Sequence, residues 1–147
     1  MTISFPSNTK AIIDDIRDAI GRDIEFETEL TSACPASGCS IDPFTNTSIN
    51  PFCTTCSGLG YLVTISGESV MAHITWGGND QLGWASGGQM DDGDCRVQIE
   101  HTATNLILVD TADHVVVDGH RMGIKKQIIR GVQPINRILL DLTQEEV

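Results

Sequence analysis

The chain has 147 residues, 40% of them apolar, and a formal net charge of −11 with a pI near 4.5. That length fits one domain with a single core, and the acidic balance excludes a dedicated binder of phosphate backbones, which would repel it. With only two Trp, one Tyr and four Phe, the core must rest on Ile, Leu and Val, and the β-branched residues concentrated in the C-terminal half favour pleated sheet.

The N-terminus, Met-Thr-Ile-Ser-Phe-Pro, has no basic region followed by an apolar run, so a secretory signal is not expected. No segment reaches the apolar length that spans a bilayer. A reducing cytosol is therefore expected, where cysteines are more often metal ligands or free thiols than disulfides. Residues 8–21 read as the one helix. Ile12, Ile13, Ile16, Ala19 and Ile20 fall on one stripe at helical spacing, and Asp14, Asp15, Arg17 and Asp18 take the outer face. Ser7 or Asn8 can cap its start, and Gly21 stands where a C-terminal cap belongs.

Ile24, Phe26, Thr28 and Leu30 alternate with Glu25, Glu27 and Glu29, the pattern of a strand with one wet face. Alternation returns at Tyr61–Ile65 and Val70–Trp76, and Ser66-Gly67-Glu68-Ser69 between them predicts a hairpin turn. Residues 31–60 show no period and are dense in Ser, Thr, Asn, Pro and Gly. A loop of this length is uncommon in a compact domain unless something ties it down. Residues 77–94, rich in Gly and Asp, read as a second long, mobile loop.

Further strands are expected at Cys95–His101, Leu106–Val109, Val115–Val117, Met122–Ile129 and Ile138–Leu142, with a turn at Asp118-Gly119 and breaks at Gly131 and Pro134. The result is a mainly β chain: a single domain over 1–147, a small barrel or sandwich with one N-terminal helix and an insertion at 31–60. No internal repeat is visible. Five of the nine basic residues (Arg121, Lys125, Lys126, Arg130, Arg137) fall together near the C-terminus. They read either as a partner-facing surface or as a solvated strand edge guarded by charge.

The insertion holds four of the five cysteines, spaced Cys34-x4-Cys39, thirteen residues, then Cys53-x2-Cys56. Two close pairs joined by a short loop supply the four tetrahedral thiolates that a structural zinc prefers. Gly58 permits the positive φ that turns backbone N–H groups toward the sulfurs. Two disulfides, free structural thiols or a redox Cys-x2-Cys are the alternatives. They are disfavoured respectively by the compartment, by the lack of apolar surroundings and by the lack of a βαβ context. Because the first pair is the wider one, a histidine in place of Cys39 stays open. A closed four-sulfur site leaves no position for water or substrate, so its zinc would be structural and not catalytic. Cys95 reads as a small buried core residue.

His73, His101, His114 and His120 are scattered along expected strands, with Asp110, Asp113 and Asp118 near the last two. No nucleophile elbow or phosphate-cradling glycine loop accompanies them, so an enzyme is not expected. A small hydrolase using His120 and Asp118 ranks last among the readings.

The run from Thr111 to Val132 resembles the closing strands of tailed-bacteriophage neck proteins, the head-tail connectors of the head-closure or stopper type. Asp113, Val115–Val117, Asp118-Gly119, Lys125-Lys126 and Ile138–Leu142 match that pattern in order, and Gly93-Asp94-Cys95-Arg96-Val97 resembles the strand that opens the same barrel. Some neck proteins of this kind also carry a cysteine-rich insertion ending as Cys53-Thr-Thr-Cys56-Ser-Gly58-Leu-Gly60-Tyr61 does here; Cys34-x4-Cys39 departs from the more usual Cys-x2-Cys. The resemblance, over roughly residues 22–142, implies a structural virion protein in a ring of six or twelve copies. Such a ring lies between the portal or adaptor and the tail proteins, closing the head and retaining packaged DNA. An acidic lumen suits passing duplex, because negative walls do not grip it, and the 77–94 loop is the candidate lining. A second resemblance links Cys53-x2-Cys56-x-Gly58-x-Gly60 to one repeat unit of the zinc domain of DnaJ-type co-chaperones, which implies a client-binding module.

Overall fold

A computed structural model describes residues 6–77, 84–85, 88–89, 93–131 and 135–144. In chain order they form α1 (Thr9–Ile20), β1 (Arg22–Ala33), β2 (Tyr61–Trp76), the two-residue strands β3 (Trp84–Ala85) and β4 (Gly88–Gln89), β5 (Cys95–Glu100), α2 (Ala103–Thr111), β6 (His114–Val117), β7 (His120–Arg130) and β8 (Arg137–Gln144). Six strands close into a barrel in the order β1-β2-β5-β8-β7-β6, and β3 pairs with β4. The chain is mainly β, as its periodicity implies. It divides into two compact units: residues 28–66, and a barrel unit made of the segments on either side of them.

In the barrel unit the inward residues alternate along β1, β5, β6 and β8. Ile24 and Phe26 of β1, Cys95, Val97 and Ile99 of β5, Val115 and Val117 of β6, Met122 of β7, and Ile138, Leu140 and Leu142 of β8 form one buried core. The register sets Val97 opposite Leu140 and Ile99 opposite Ile138, so apolar side chains meet in cross-strand pairs. Among the described residues Phe26 is the one fully buried aromatic of this core, with Trp76 partly buried against it; the other buried members are aliphatic or sulfur-bearing. One residue along, Arg96 and Asp141 face outward as a pair, with Nε and Nη2 donating to the two carboxylate oxygens at 2.6 and 2.9 Å.

Asp118-Gly119 forms the turn between β6 and β7. Both residues have positive φ (51° and 83°), as a two-residue type I′ hairpin demands. Val117 pairs with His120 across it. A barrel has no free edge, which overturns the edge-strand reading of the basic cluster. Those residues lie on β7 and β8 inside the closed ladder, where Arg121 meets Glu27 at 3.1 Å and Lys125 meets Asp94 at 3.7 Å.

Three local expectations are corrected. First, β2 is one unbroken strand through Ser66–Ser69, not a hairpin. Gly67 lies beside the Glu25 side chain, which a Cβ there would push aside. Second, Leu106–Val109 belongs to helix α2. Thr102 caps it, its Oγ1 accepting from the Asn105 N–H at 3.0 Å. A short apolar run without period does not distinguish strand from buried helix, and Val109, Leu106 and Leu108 all pack on the core.

Third, α1 presents the opposite face from the one expected. Arg17 is buried (4% exposed), donating to Asp14 at 3.0 Å, whereas Ile12, Ile16 and Ile20 are about half exposed. Lys10 bonds Asp14 at 2.8 Å and reaches Glu100 at 3.5 Å, so an ionic network holds the inner face. The caps of α1 stand where the sequence reading puts them, at Asn8 and Gly21. Asn8 stands at the N-cap without a side-chain bond, and Gly21 has φ −75°. Gly21 is needed because a Cβ would strike the carbonyls of Arg17 and Ala72. The reading of 77–94 as a loop falls mostly outside the described residues.

Candidate metal centre

The unit of residues 28–66 is built around its cysteines. Its buried cluster consists of Cys34, Cys39, Cys53 and Cys56, with only Ala36 and Leu62 partly buried against them. Below about 40 residues a chain rarely folds on an apolar core alone and uses disulfides, metals or association. All five cysteines of the protein are free thiols.

Backbone bonds set the sulfurs in place. The Cys34 N–H donates to the Gly60 carbonyl at 3.2 Å, tying the two ends of the segment together. After Cys34, a turn closed by the Cys39 N–H on the Ala36 carbonyl (3.1 Å) brings Cys39 back; Gly38 in this turn has φ 75°. Between the pairs, Ile41 and Ser48 bridge, and the Asp42 N–H donates to the Thr47 carbonyl at 2.9 Å. After Cys53, the Gly58 N–H donates to the Cys53 carbonyl and the Leu59 N–H to that of Cys56, both at 3.0 Å. Ser57, Gly58 and Gly60 take positive φ, and the Gly60 N–H donates to the Cys56 sulfur at 3.2 Å. Gly58 has the role its position suggests, and a Cβ there would also meet the Pro51 carbonyl.

The four sulfurs lie within 4.8 Å of one another, Cys34 to Cys53 at 3.8 Å and Cys39 to Cys56 at 3.4 Å. A disulfide would need about 2.05 Å. A tetrahedral ion bonded to sulfur at about 2.3 Å places its ligands about 3.8 Å apart, so the donor set fits such an ion. Cys39, where a histidine was the alternative, is one of the four; residues 28–66 contain no histidine. Electrostatics are polarised within the cluster. Hydrogen bonds from the backbone of Cys56 and Thr55 lower Cys53 to about 6, whereas burial and the neighbouring thiols push Cys39 up to about 12. One sulfur is thus a ready thiolate and another holds its proton until a cation arrives.

The remaining sequence candidates among the described residues lie in the barrel unit. Cys95 is in the barrel core, 3.5 Å from the Met122 sulfur, and burial raises it to about 12. Asp118 bonds the Trp76 Nε1 at 2.9 Å and Arg22 at 2.8 Å, and His120 packs edge-on against Trp76 at 5.8 Å. Asp118 and His120 thus both contact Trp76 at the β6–β7 corner.

Sequence reading missed one feature of residues 28–66. Asp42-Pro43-Phe44 and Asn50-Pro51-Phe52 form the same turn twice: the Phe44 N–H donates to Asp42 Oδ1 at 2.9 Å and the Phe52 N–H to Asn50 Oδ1 at 3.2 Å. The repeated Asx-Pro-Phe triplet was the available signal.

The fold and site define a small closed β-barrel protein bearing a four-cysteine cluster that could hold a metal ion. Compared with protein-family models, with curated proteins and with solved structures, the chain finds no match in any of the three. Among the described residues, no helix is long and apolar enough to cross a membrane.

Proposed function

We propose that the chain is a structural subunit of the neck of a tailed bacteriophage. In this reading it forms a ring between portal or adaptor and tail that closes the DNA-filled head, with zinc as the ion held by Cys34, Cys39, Cys53 and Cys56. The observation that carries the reading is where the resembling residues fall. Asp113 to Val117, Asp118-Gly119, Lys125-Lys126 and Ile138–Leu142 occupy β6, the β6–β7 turn, β7 and β8, three successive strands of one barrel. The Cys53-x2-Cys56-x-Gly58-x-Gly60 phrase ends at the start of β2, with its two glycines in the positive-φ positions it requires. Four thiolates at tetrahedral spacing are the donor set of a closed structural zinc site, a set that iron also accepts. The exposed Ile12, Ile16 and Ile20 stripe also suits a subunit whose surfaces are covered on assembly.

The test is genetic. In a phage carrying this gene, a nonsense mutation leaves filled heads that lose DNA and tails that stay unjoined, and the protein supplied in trans restores joining. Infectious, fully joined virions made without the protein would remove the proposal.

A further inference from the structure

Two sulfur contacts of the cysteine cluster run between its halves. Cys34 Sγ lies 3.8 Å from Cys53 Sγ and Cys39 Sγ lies 3.4 Å from Cys56 Sγ, the partners being 19 and 17 residues apart in sequence. In chain order these pairs interleave, so each loop encloses one end of the other. To become disulfides they must close to about 2.05 Å, a movement of about 1 Å or less for each sulfur. Side-chain rotation supplies that with the backbone turns left in place.

The cover over these sulfurs is thin. Among the described residues only Ala36 and Leu62 pack partly against them, so a small oxidant has a short way in. Cys95, by contrast, lies among the aliphatic side chains of the barrel core. Residues 28–66 also have no apolar core to hold them once an ion leaves, so a second cross-link would have to take over the same positions.

We propose that the cluster is a staple with two chemical states. Zinc holds it under reducing conditions; a peroxide replaces the ion with the crossed disulfides Cys34–Cys53 and Cys39–Cys56, which hold the same turns. In each pair one thiolate attacks the peroxide O–O bond, giving a sulfenic acid and hydroxide. The partner thiolate then attacks that sulfur, the S–S bond forms and a second hydroxide leaves. Two protons from solvent turn both hydroxides into water; the two sulfurs are oxidised, the peroxide is reduced, and the ion departs as Zn²⁺. The local alternative, Cys53 to Cys56, would close only its own short turn and let the halves separate. Crossed loops remove far more freedom from the opened chain. In the neck reading the chain is made in a reducing cytosol and leaves it in a particle, so it meets both conditions; that use rests on the neck reading, the chemistry on the four sulfurs alone.

The full chain, purified reduced with zinc and its metal content read by native mass spectrometry, is treated with hydrogen peroxide. A chromophoric chelator follows zinc release. Chymotrypsin then cuts after Phe44 and Phe52, between the halves, so crossed disulfides keep the two peptides joined and local ones do not; fragmentation assigns the partners. The expected products are Cys34–Cys53 and Cys39–Cys56, with Cys95 recovered as a thiol. In hydrogen exchange, residues 34–60 of this oxidised, zinc-free form open at least about tenfold more slowly than in the reduced, zinc-free form. Cys39→Ser with Cys56→Ser, which keeps one crossed pair, still forms Cys34–Cys53 within the chain. A Cys53–Cys56 disulfide, disulfides between chains, or an oxidised form that exchanges as fast as the reduced, zinc-free one overturns the inference. Absence of zinc before oxidation would sink the zinc reading alone, since the disulfides are mapped on the same chain either way.

Discussion

Replacing Cys53 by serine removes one of four sulfurs around a common centre, and the consequence can be sized from the packing. Structural zinc sites contribute on the order of 10–16 kcal/mol at neutral pH. One ligand of four then accounts for about 3–4 kcal/mol, or on the order of 100- to 1,000-fold in zinc affinity. Little else holds the unit: burying Leu62 completely would supply about 1.5–3 kcal/mol, and Leu62 and Ala36 are only partly buried. Ordering the backbone costs roughly 1–2 kcal/mol per residue. In Cys53→Ser, residues 34–60 therefore open while the barrel, with a core of its own, stays folded. Cys95→Ser behaves oppositely. It places a hydroxyl in an apolar core at a cost of about 1–3 kcal/mol, lowers the barrel's melting temperature and leaves zinc affinity unchanged. Competition with a chromophoric chelator gives the affinities, and hydrogen exchange read by mass spectrometry locates the opening. Wild-type zinc affinity and unchanged protection of residues 34–60 in Cys53→Ser would refute the reasoning.

Three further outcomes are expected. Zinc affinity falls as pH falls, and more steeply below about pH 6, where Cys53 gains a proton that the metal must displace; Cys39, raised to about 12, releases its proton to zinc throughout. Chelator competition from acidic to neutral pH checks this, and a flat profile across pH 6 contradicts it. Gly58→Ala weakens zinc binding more than Gly119→Ala weakens the barrel, since both have positive φ but only Gly58 also faces a backbone carbonyl; the Gly119 change costs about 1 kcal/mol in thermal melts. Ile16→Ser changes stability by no more than about 0.5 kcal/mol, as an exposed position should, whereas Arg17→Ala costs about 1.5–3 kcal/mol by removing a charged hydrogen bond to Asp14, which keeps only Lys10; equal effects in denaturant titrations would contradict the face assigned to α1.

The barrel strands were legible because half-buried strands alternate, and β1, β5, β6 and β8 do so cleanly. The cysteine cluster was legible because ligand spacing is a local constraint. What failed was information that only tertiary contact supplies. Ser66-Gly67 looks like a turn, yet β2 runs straight through it. The Leu106–Val109 run has no period, so nothing local marks it as helix beyond Thr102 at the cap. In α1 the apolar stripe was visible, but a stripe gives a direction around the helix and not the side on which the protein lies. Lys10 settles that through Glu100, a residue whose proximity no spacing rule reveals. The crossed sulfur contacts of residues 28–66 likewise join positions far apart in sequence, whereas the phenylalanine turns there were written locally and overlooked.

X-ray absorption at the zinc edge, together with metal content by native mass spectrometry, addresses the four-sulfur centre without intermediaries. One zinc per chain with four sulfur neighbours at about 2.3 Å is the expected result. A chain purified under reducing conditions with zinc present that holds no ion, or one whose ion is ringed by oxygen and nitrogen, would contradict it.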